Sequence, residues 1–233
     1  MNREEFINEL KELGINLNDK VLTNLEEYYK ILKEENNKYN LTRIMEKEDV
    51  YLKHFYDSLT ITKIIDIDRQ NICDLGSGAG FPGLVLAICF PNANLTLIES
   101  NGKKCNFLNI VKDKLELNNV IVINARVEDY AKENREIYDI VTARAVAPIK
   151  HLLEYGIPLA KVEGFFIAMK SNIEEEIKNI SNYYGKLDIK MKDKIEFYLP
   201  KENSLRTLIK YKKNNKTSTK YPRRYSEILK KDI

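Results

Sequence analysis

The chain has 233 residues, 43% of them hydrophobic and 31% charged, with a formal net charge of +3, enough apolar material for one α/β domain with an added element or for two small domains. No run approaches the roughly 18–20 apolar residues that cross a bilayer, and Met1–Phe6 holds no apolar stretch like a secretory signal, so a cytoplasmic protein is expected. The charge is uneven: residues 1–70 carry 11 Lys/Arg against 15 Asp/Glu, residues 71–200 carry 16 against 17, and residues 201–233 carry 11 against 3, which marks the C-terminal segment as the part that seeks polyanions.

In chain order, residues 4–65 read as helical. Phe6, Leu10 and Leu13 recur at helical spacing, as do Leu25, Tyr28, Tyr29 and Leu32. A third helix over about 47–65 places Leu52, Phe55, Tyr56 and Leu59 on one face, with a break at Asn40-Leu41-Thr42. From residue 71 short apolar strands alternate with helices. Strands are predicted at Ile72–Leu75, Asn94–Glu99, Val120–Asn124, Tyr138–Ala143 and Gly164–Lys170, and helices at about 82–90, 102–117, 149–160 and 173–185. That alternation argues for a parallel sheet covered on both faces. Residues 187–199 and 204–212 read as two further strands with no helix between them, an antiparallel edge. Residues 213–233 have little apolar content and read as a mobile or loosely attached basic tail.

The chemistry concentrates at strand ends. Asp74-Leu75-Gly76-Ser77-Gly78-Ala79-Gly80 closes the first predicted strand and opens a helix; glycines there let backbone amides approach a ligand. Glu99 ends the next strand, where a carboxylate can accept from both hydroxyls of a ribose. The spacing is G-x-G-x-G rather than the G-x-G-x-x-G of dinucleotide binders, and Asp74 would repel a pyrophosphate. A cationic ligand fits better: S-adenosylmethionine has an α-ammonium that Asp74 can bind directly or through water. After the third strand, Val127 backbone with Glu128 or Asp129 can meet an adenine, or the same residues simply begin a helix with acids in its first turn. Arg144 ends the fourth strand and is a candidate for the cleft beyond it. His54 and Asp57, three apart on a helix, can face one way; a structural role near the glycine loop is preferred over a catalytic pair.

Absences narrow the reaction. No Asn/Asp-Pro-Pro-aromatic loop follows the fourth strand, as amine methylation commonly uses, and no cysteine follows Cys105, as carbon methylation of pyrimidines needs. Guanine N7 carries a free lone pair and loses no proton on methylation, so it needs orientation rather than a general base. The three cysteines and two histidines have no zinc-site spacing; no metal is expected.

Four segments carry a family resemblance: Tyr39-Asn40-Leu41-Thr42, His54-Phe55-Tyr56-Asp57-Ser58-Leu59, Asp74 through Gly80 extended by Phe81-Pro82-Gly83, and Ala143-Arg144-Ala145. From about residue 5 to 212 the chain resembles the RsmG (GidB) family of bacterial 16S rRNA guanine-N7 methyltransferases. The resemblance implies a class I methyltransferase, a Rossmann-like, mostly parallel seven-stranded sheet, with an N-terminal helical segment at 1–66, the methyltransferase domain at 67–212 and a basic tail at 213–233. It implies transfer of a methyl group from S-adenosylmethionine to a guanine of the 530 loop, on 16S rRNA or a small-subunit assembly intermediate; a monomer is expected. Cofactor positions map onto Gly76, Phe81, Val127, Glu128 and Arg144, beside Asp74, Gly78, Gly80 and Glu99. Arg144 is the candidate catalytic residue, facing either the cofactor carboxylate or an RNA phosphate. Ser171 follows Lys170 where the family usually has glycine. The competing expectations are a methyltransferase for another RNA site or a small molecule, an NAD-dependent oxidoreductase, and a non-catalytic RNA-binding protein that uses the basic tail.

Overall fold

The computed structural model describes residues 1–178 and 180–233. Helices α1 (Arg3–Glu12) and α2 (Asp19–Tyr39) begin at asparagine caps, Asn2 and Asn18, whose side chains accept from backbone amides of the first turn. The third helical stretch is continuous but not uniform. It runs through α3 (Lys47–Val50), a π-helical turn (Tyr51–Tyr56), α4 (Asp57–Leu59) and a 3-10 turn (Thr60–Lys63). Wide turns of this kind are rare and cluster at functional sites; here the turn carries His54 and leads into Asp57.

The sheet has seven strands in the order β3-β2-β1-β4-β5-β7-β6, with β1 at Asn71–Leu75, β2 at Asn94–Glu99, β3 at Val120–Asn124, β4 at Tyr138–Arg144, β5 at Ala160–Lys170, β6 at Ile189–Tyr198 and β7 at Leu205–Lys213. The first five strands pair in parallel, while β7 runs antiparallel to both β5 and β6. The fold class expected from the sequence is therefore the observed one. β5 starts four residues earlier than predicted, because Ala160 pairs with Tyr138 ahead of a register shift. The single helix predicted over 173–185 is two, α9 (Glu174–Ile177) and α10 (Ser181–Leu187), with residue 179 outside the described residues.

Helices α5 (Gly83–Cys89) and α6 (Gly102–Lys114) pack with the N-terminal helices in one hydrophobic cluster; α7 (Val127–Glu133), α8 (Ile149–Gly156) and α10 belong to a second. Residues of the N-terminal segment such as Phe6, Leu25 and Phe55 share the first cluster with Leu84 and Leu97, so that segment and the sheet have a common core.

The C-terminal segment differs from its expectation. It is packed, not loosely attached. Tyr221, Ile228 and Ile233 are buried in the second cluster, and a short helix, α11 (Tyr225–Ile228), forms within it. Polar anchors supply what its few apolar residues cannot. Arg135 donates to the carbonyls of Tyr221 (2.7 Å) and Thr217 (2.8 Å). Lys213 is fully buried, donates to the carbonyls of Ile157 and Ala160, and pairs with Glu136. Arg223 grips the fully buried Glu154 in a two-point fork, Nε to Oε1 at 2.8 Å and Nη2 to Oε2 at 2.7 Å.

Candidate active site

The C-terminal ends of β1, β4 and β5 open onto a cleft of about 790 Å³. One wall is backbone: Gly76, Ser77, Gly78, Ala79 and Phe81. A second, charged wall is made of side chains: Lys53, Asp57, Arg144, Lys170, Glu202 and Arg206, with His54 among them. Open α/β sheets bind ligands in this crevice.

The glycine wall is built locally. Gly80 has φ +92°, and a Cβ there would meet the Leu84 side chain and the Tyr28 hydroxyl at 2.5–2.6 Å. Gly83 lies so close to β2 and β1 that a Cβ would stand 2.2 Å from Leu97 and 2.7 Å from Asp74 Oδ2. Tyr28 donates its hydroxyl proton to the Ala79 carbonyl, tying α2 to the loop. Asp74 is fully buried beneath the loop. Its Oδ2 accepts from the Gly83 amide at 3.1 Å, while Oδ1 has no hydrogen-bond partner. Burial pushes its pKa up to about 7, against the neighbouring Ser77 hydroxyl, the Gly83 amide bond and the nearby Arg144, which lower it. Glu99 accepts from the amides of Gly78 (2.9 Å) and Asn101 (2.8 Å), one at each oxygen; each oxygen keeps a further lone pair.

The charged wall joins segments far apart in the sequence. Arg144 Nη1 donates to Asp57 Oδ2 at 3.0 Å and to the Lys53 carbonyl at 2.9 Å, and Nη2 approaches His54 Nδ1 at 3.3 Å. Its guanidinium lies 5.3 Å from the centre of the Phe81 ring. The His54 ring stacks on Phe81 with centroids 4.2 Å apart and 12° between planes. Its Nε2 lies 3.0 Å from Thr42 Oγ1. With Arg144 as donor, Nδ1 accepts and Nε2 carries the proton. Burial, then the positive charge of Arg144, depresses the His54 pKa to about 3, so the ring is neutral near pH 7. Arg206, at the start of β7, donates from Nε to the other oxygen of Asp57 at 2.9 Å. Lys53 pairs with Asp49 and Glu202, and Lys170 pairs with Glu176 and donates to the Ala147 carbonyl.

Of the residues singled out from the sequence, Gly76, Gly78, Phe81 and Arg144 line this cleft together. Asp74, Gly80 and Glu99 stand behind the glycine wall and shape it. Val127 and Glu128 lie away from it, in the first turn of α7, where Glu128 is buried and pairs with Arg126 at 3.2 Å. His54 and Asp57 both reach Arg144, so their helix brings them into the cleft wall as well as the core. Arg206 was not anticipated; it reads as one polar position in an alternating strand, and only its antiparallel neighbour β5 brings it over the cleft. Among the described residues no group of three or more His, Cys, Asp or Glu is placed to hold a metal ion.

This strand order, with a glycine loop after β1 and an acid at the end of β2, defines a methyltransferase-type α/β domain. Solved structures of the same fold include a TYW2 from M. jannaschii in complex with AdoMet (TM-score 0.57, 19% identity, covering 73% of this chain and 79% of that one) and a SAM-dependent methyltransferase from Aquifex aeolicus (TM-score 0.54, 15% identity, 77% and 97%). At the sequence level the family GidB, described as rRNA small subunit methyltransferase G, matches residues 21–204. Proteins named ribosomal RNA small subunit methyltransferase G are similar along nearly the whole chain: that of Mesoplasma florum is 47% identical over 94% of this chain and 92% of its own length, and that of Lysinibacillus sphaericus 42% identical over 96% of each. The chain belongs to the rRNA small subunit methyltransferase G family.

Proposed function

We propose that the chain transfers a methyl group from S-adenosylmethionine to N7 of a guanine in the 530 loop of 16S rRNA. The observation that carries this reading is the state of the cleft's proton acceptors. Both nitrogens of His54 are engaged, both oxygens of Asp57 are ion-paired, and Glu176 and Glu202 are paired with lysines. Such a cleft suits a nucleophile that needs no base, and guanine N7 is one; alignment alone contributes roughly 7–11 kcal/mol in such reactions.

The residues fit the cofactor. S-adenosylmethionine, when bound, supplies an electrophilic methyl group on a sulfonium. The unpartnered buried Oδ1 of Asp74 suits its α-ammonium, through water. Glu99 keeps lone pairs for ribose hydroxyls. The amides of Val127 and Glu128 begin a helix and lack intrahelical partners, which suits an adenine edge. Arg144 has committed three of its five N–H donors, leaving two for the cofactor carboxylate or a phosphate.

The substrate is 16S rRNA, naked or in a small-subunit assembly intermediate, met by a monomer in the cytoplasm; among the described residues no helix is long and apolar enough to cross a membrane. Borohydride/aniline treatment of 16S rRNA tests the reading. Cleavage at the 530-loop guanine should vanish in a strain lacking this chain and return on its re-expression; unchanged cleavage in that strain would sink it.

A further inference from the structure

Asp57 is the hinge pin of the charged wall. It is buried, and its two oxygens are taken by guanidinium groups from two different strands: Arg144 from the end of β4 and Arg206 from the start of β7. Those strands flank β5, whose Met169 pairs with Arg144 on one side and with Leu208 on the other. The two arginines therefore reach across β5 to one carboxylate. The remaining bonds of Arg206 fix it further: Nη1 donates to Ser204 Oγ at 2.7 Å and to the Leu205 carbonyl at 3.1 Å. Its Nη2 has no partner among the described residues, and the side chain lines the cleft.

The pairing singles out this cluster: each lysine lining the cleft has a carboxylate of its own, while the two arginines share one. Lys53 is matched by Asp49 and Glu202, and Lys170 by Glu176. Two guanidinium groups share the single carboxylate of Asp57, so this trio by itself carries one positive charge more than it cancels, at the face of the cleft. An anion presented from the cleft completes it.

We propose that Arg206 contacts substrate, taking a phosphate of the RNA backbone beside the target nucleotide, and that Asp57 is the positioning residue that holds Arg206 and Arg144 at a fixed spacing, one toward RNA and one toward the cofactor. This rests on the RNA-methylating reading above. A fixed spacing matters because in-line transfer depends on how two separately bound partners are set relative to each other.

The test uses the full chain, small ribosomal subunits from a strain lacking it, and the 16S rRNA extracted from them. Steady-state methylation is measured over a salt series, S-adenosylhomocysteine affinity by calorimetry. Arg206→Ala should raise KM for RNA about tenfold and reduce the slope of log affinity against log salt by about one, with S-adenosylhomocysteine affinity unchanged. Asp57→Asn presents an amide N–H to one arginine, so it should raise KM for RNA and weaken S-adenosylhomocysteine binding together, and its effect on KM should be far less than multiplicative with that of Arg206→Ala. Should Asp57→Asn fail to fold, Arg206→Lys serves: it keeps the charge and loses the Nε bond to Asp57 with the Nη1 bonds that fix the side chain, so kcat/KM should fall several-fold while the salt slope stays. An unchanged salt slope in Arg206→Ala overturns the phosphate contact. Wild-type kinetics in a folded Asp57→Asn, or in Arg206→Lys, overturns the positioning role. Failure of the unaltered chain to methylate either RNA form would instead overturn the reading on which this one rests.

Discussion

Two carboxylates in this molecule hold arginines from distant parts of the chain, and they do so differently. Glu154 on α8 is fully buried and faces one arginine, Arg223, whose fork meets both oxygens; the Arg223 amide adds a third bond at 3.0 Å. The pair is electrically balanced and joins the C-terminal segment to the domain. Asp57 faces two arginines, stands at the edge of a cleft, and leaves two guanidinium nitrogens, Arg144 Nε and Arg206 Nη2, without a partner among the described residues. The same chemistry is closed in one place and open in the other. A balanced pair in which each guanidinium nitrogen is bonded is a clasp. A cluster in which two guanidinium groups share one carboxylate and keep spare donors beside a cleft is prepared for a ligand.

The contrast breaks most visibly at the clasp. Arg223→Ala strands a buried carboxylate and should cost about 3–5 kcal/mol in denaturant unfolding, with S-adenosylhomocysteine affinity intact in the folded fraction; a loss below about 1 kcal/mol would show that Glu154 is not closed off as described. Next come two buried groups of the site, which titrate with opposite consequences. His54 is held to about 3 in the fold against 6.5 unfolded. Above pH 6.5 it is neutral in both states and contributes nothing; below, only the unfolded chain takes up the proton, so stability falls toward pH 3. Asp74 is raised to about 7 from 3.8. Between these values the folded state holds the extra proton, so its stability contribution is present below pH 3.8 and is lost as pH rises through 7. His54→Asn should flatten the acid limb of a melting-temperature profile, and Asp74→Asn should raise the melting temperature of the cofactor-free protein above pH 7 but not below pH 4. Profiles parallel to the unaltered protein would remove both assignments.

A smaller effect separates the glycine wall from the charged one. Glu99→Ala should weaken S-adenosylhomocysteine binding by about 1.5–3 kcal/mol, the worth of hydrogen bonds to a charged acceptor, and leave the salt dependence of RNA binding alone; an unchanged calorimetric affinity would refute the ribose role. Least of all should come Lys150→Ala. It removes the pair with Asp232, whose partners are both well exposed, and the expected stability change is within about 1 kcal/mol. A larger loss would mean the end of the chain is held from its rim rather than by Glu154.

Much of this could be read locally. Each parallel strand from Asn94 to Arg144 is a short apolar run bounded by polar turns, and the glycine loop is contiguous, so its conformation follows from its own residues. The helix at Val127 is ambiguous in the sequence because its N-cap position holds Arg126, not one of the short polar residues that announce a helix start. The attachment of the C-terminal segment was hidden for a different reason. Its affinity for the domain lies in Arg223, Lys213 and the receiving Arg135, side chains that look like solvated charge until their partners are known. By itself, then, the sequence determined the sheet, the backbone wall with Asp74 and Glu99 behind it, and the family, because these depend on periodicity and on neighbours along the chain. Only the tertiary structure decided that Asp57, Arg144 and Arg206, some 60 to 150 positions apart, form one cluster. An ion pair leaves no trace in the spacing of its members; it exists only once the sheet has set β4 and β7 on either side of β5.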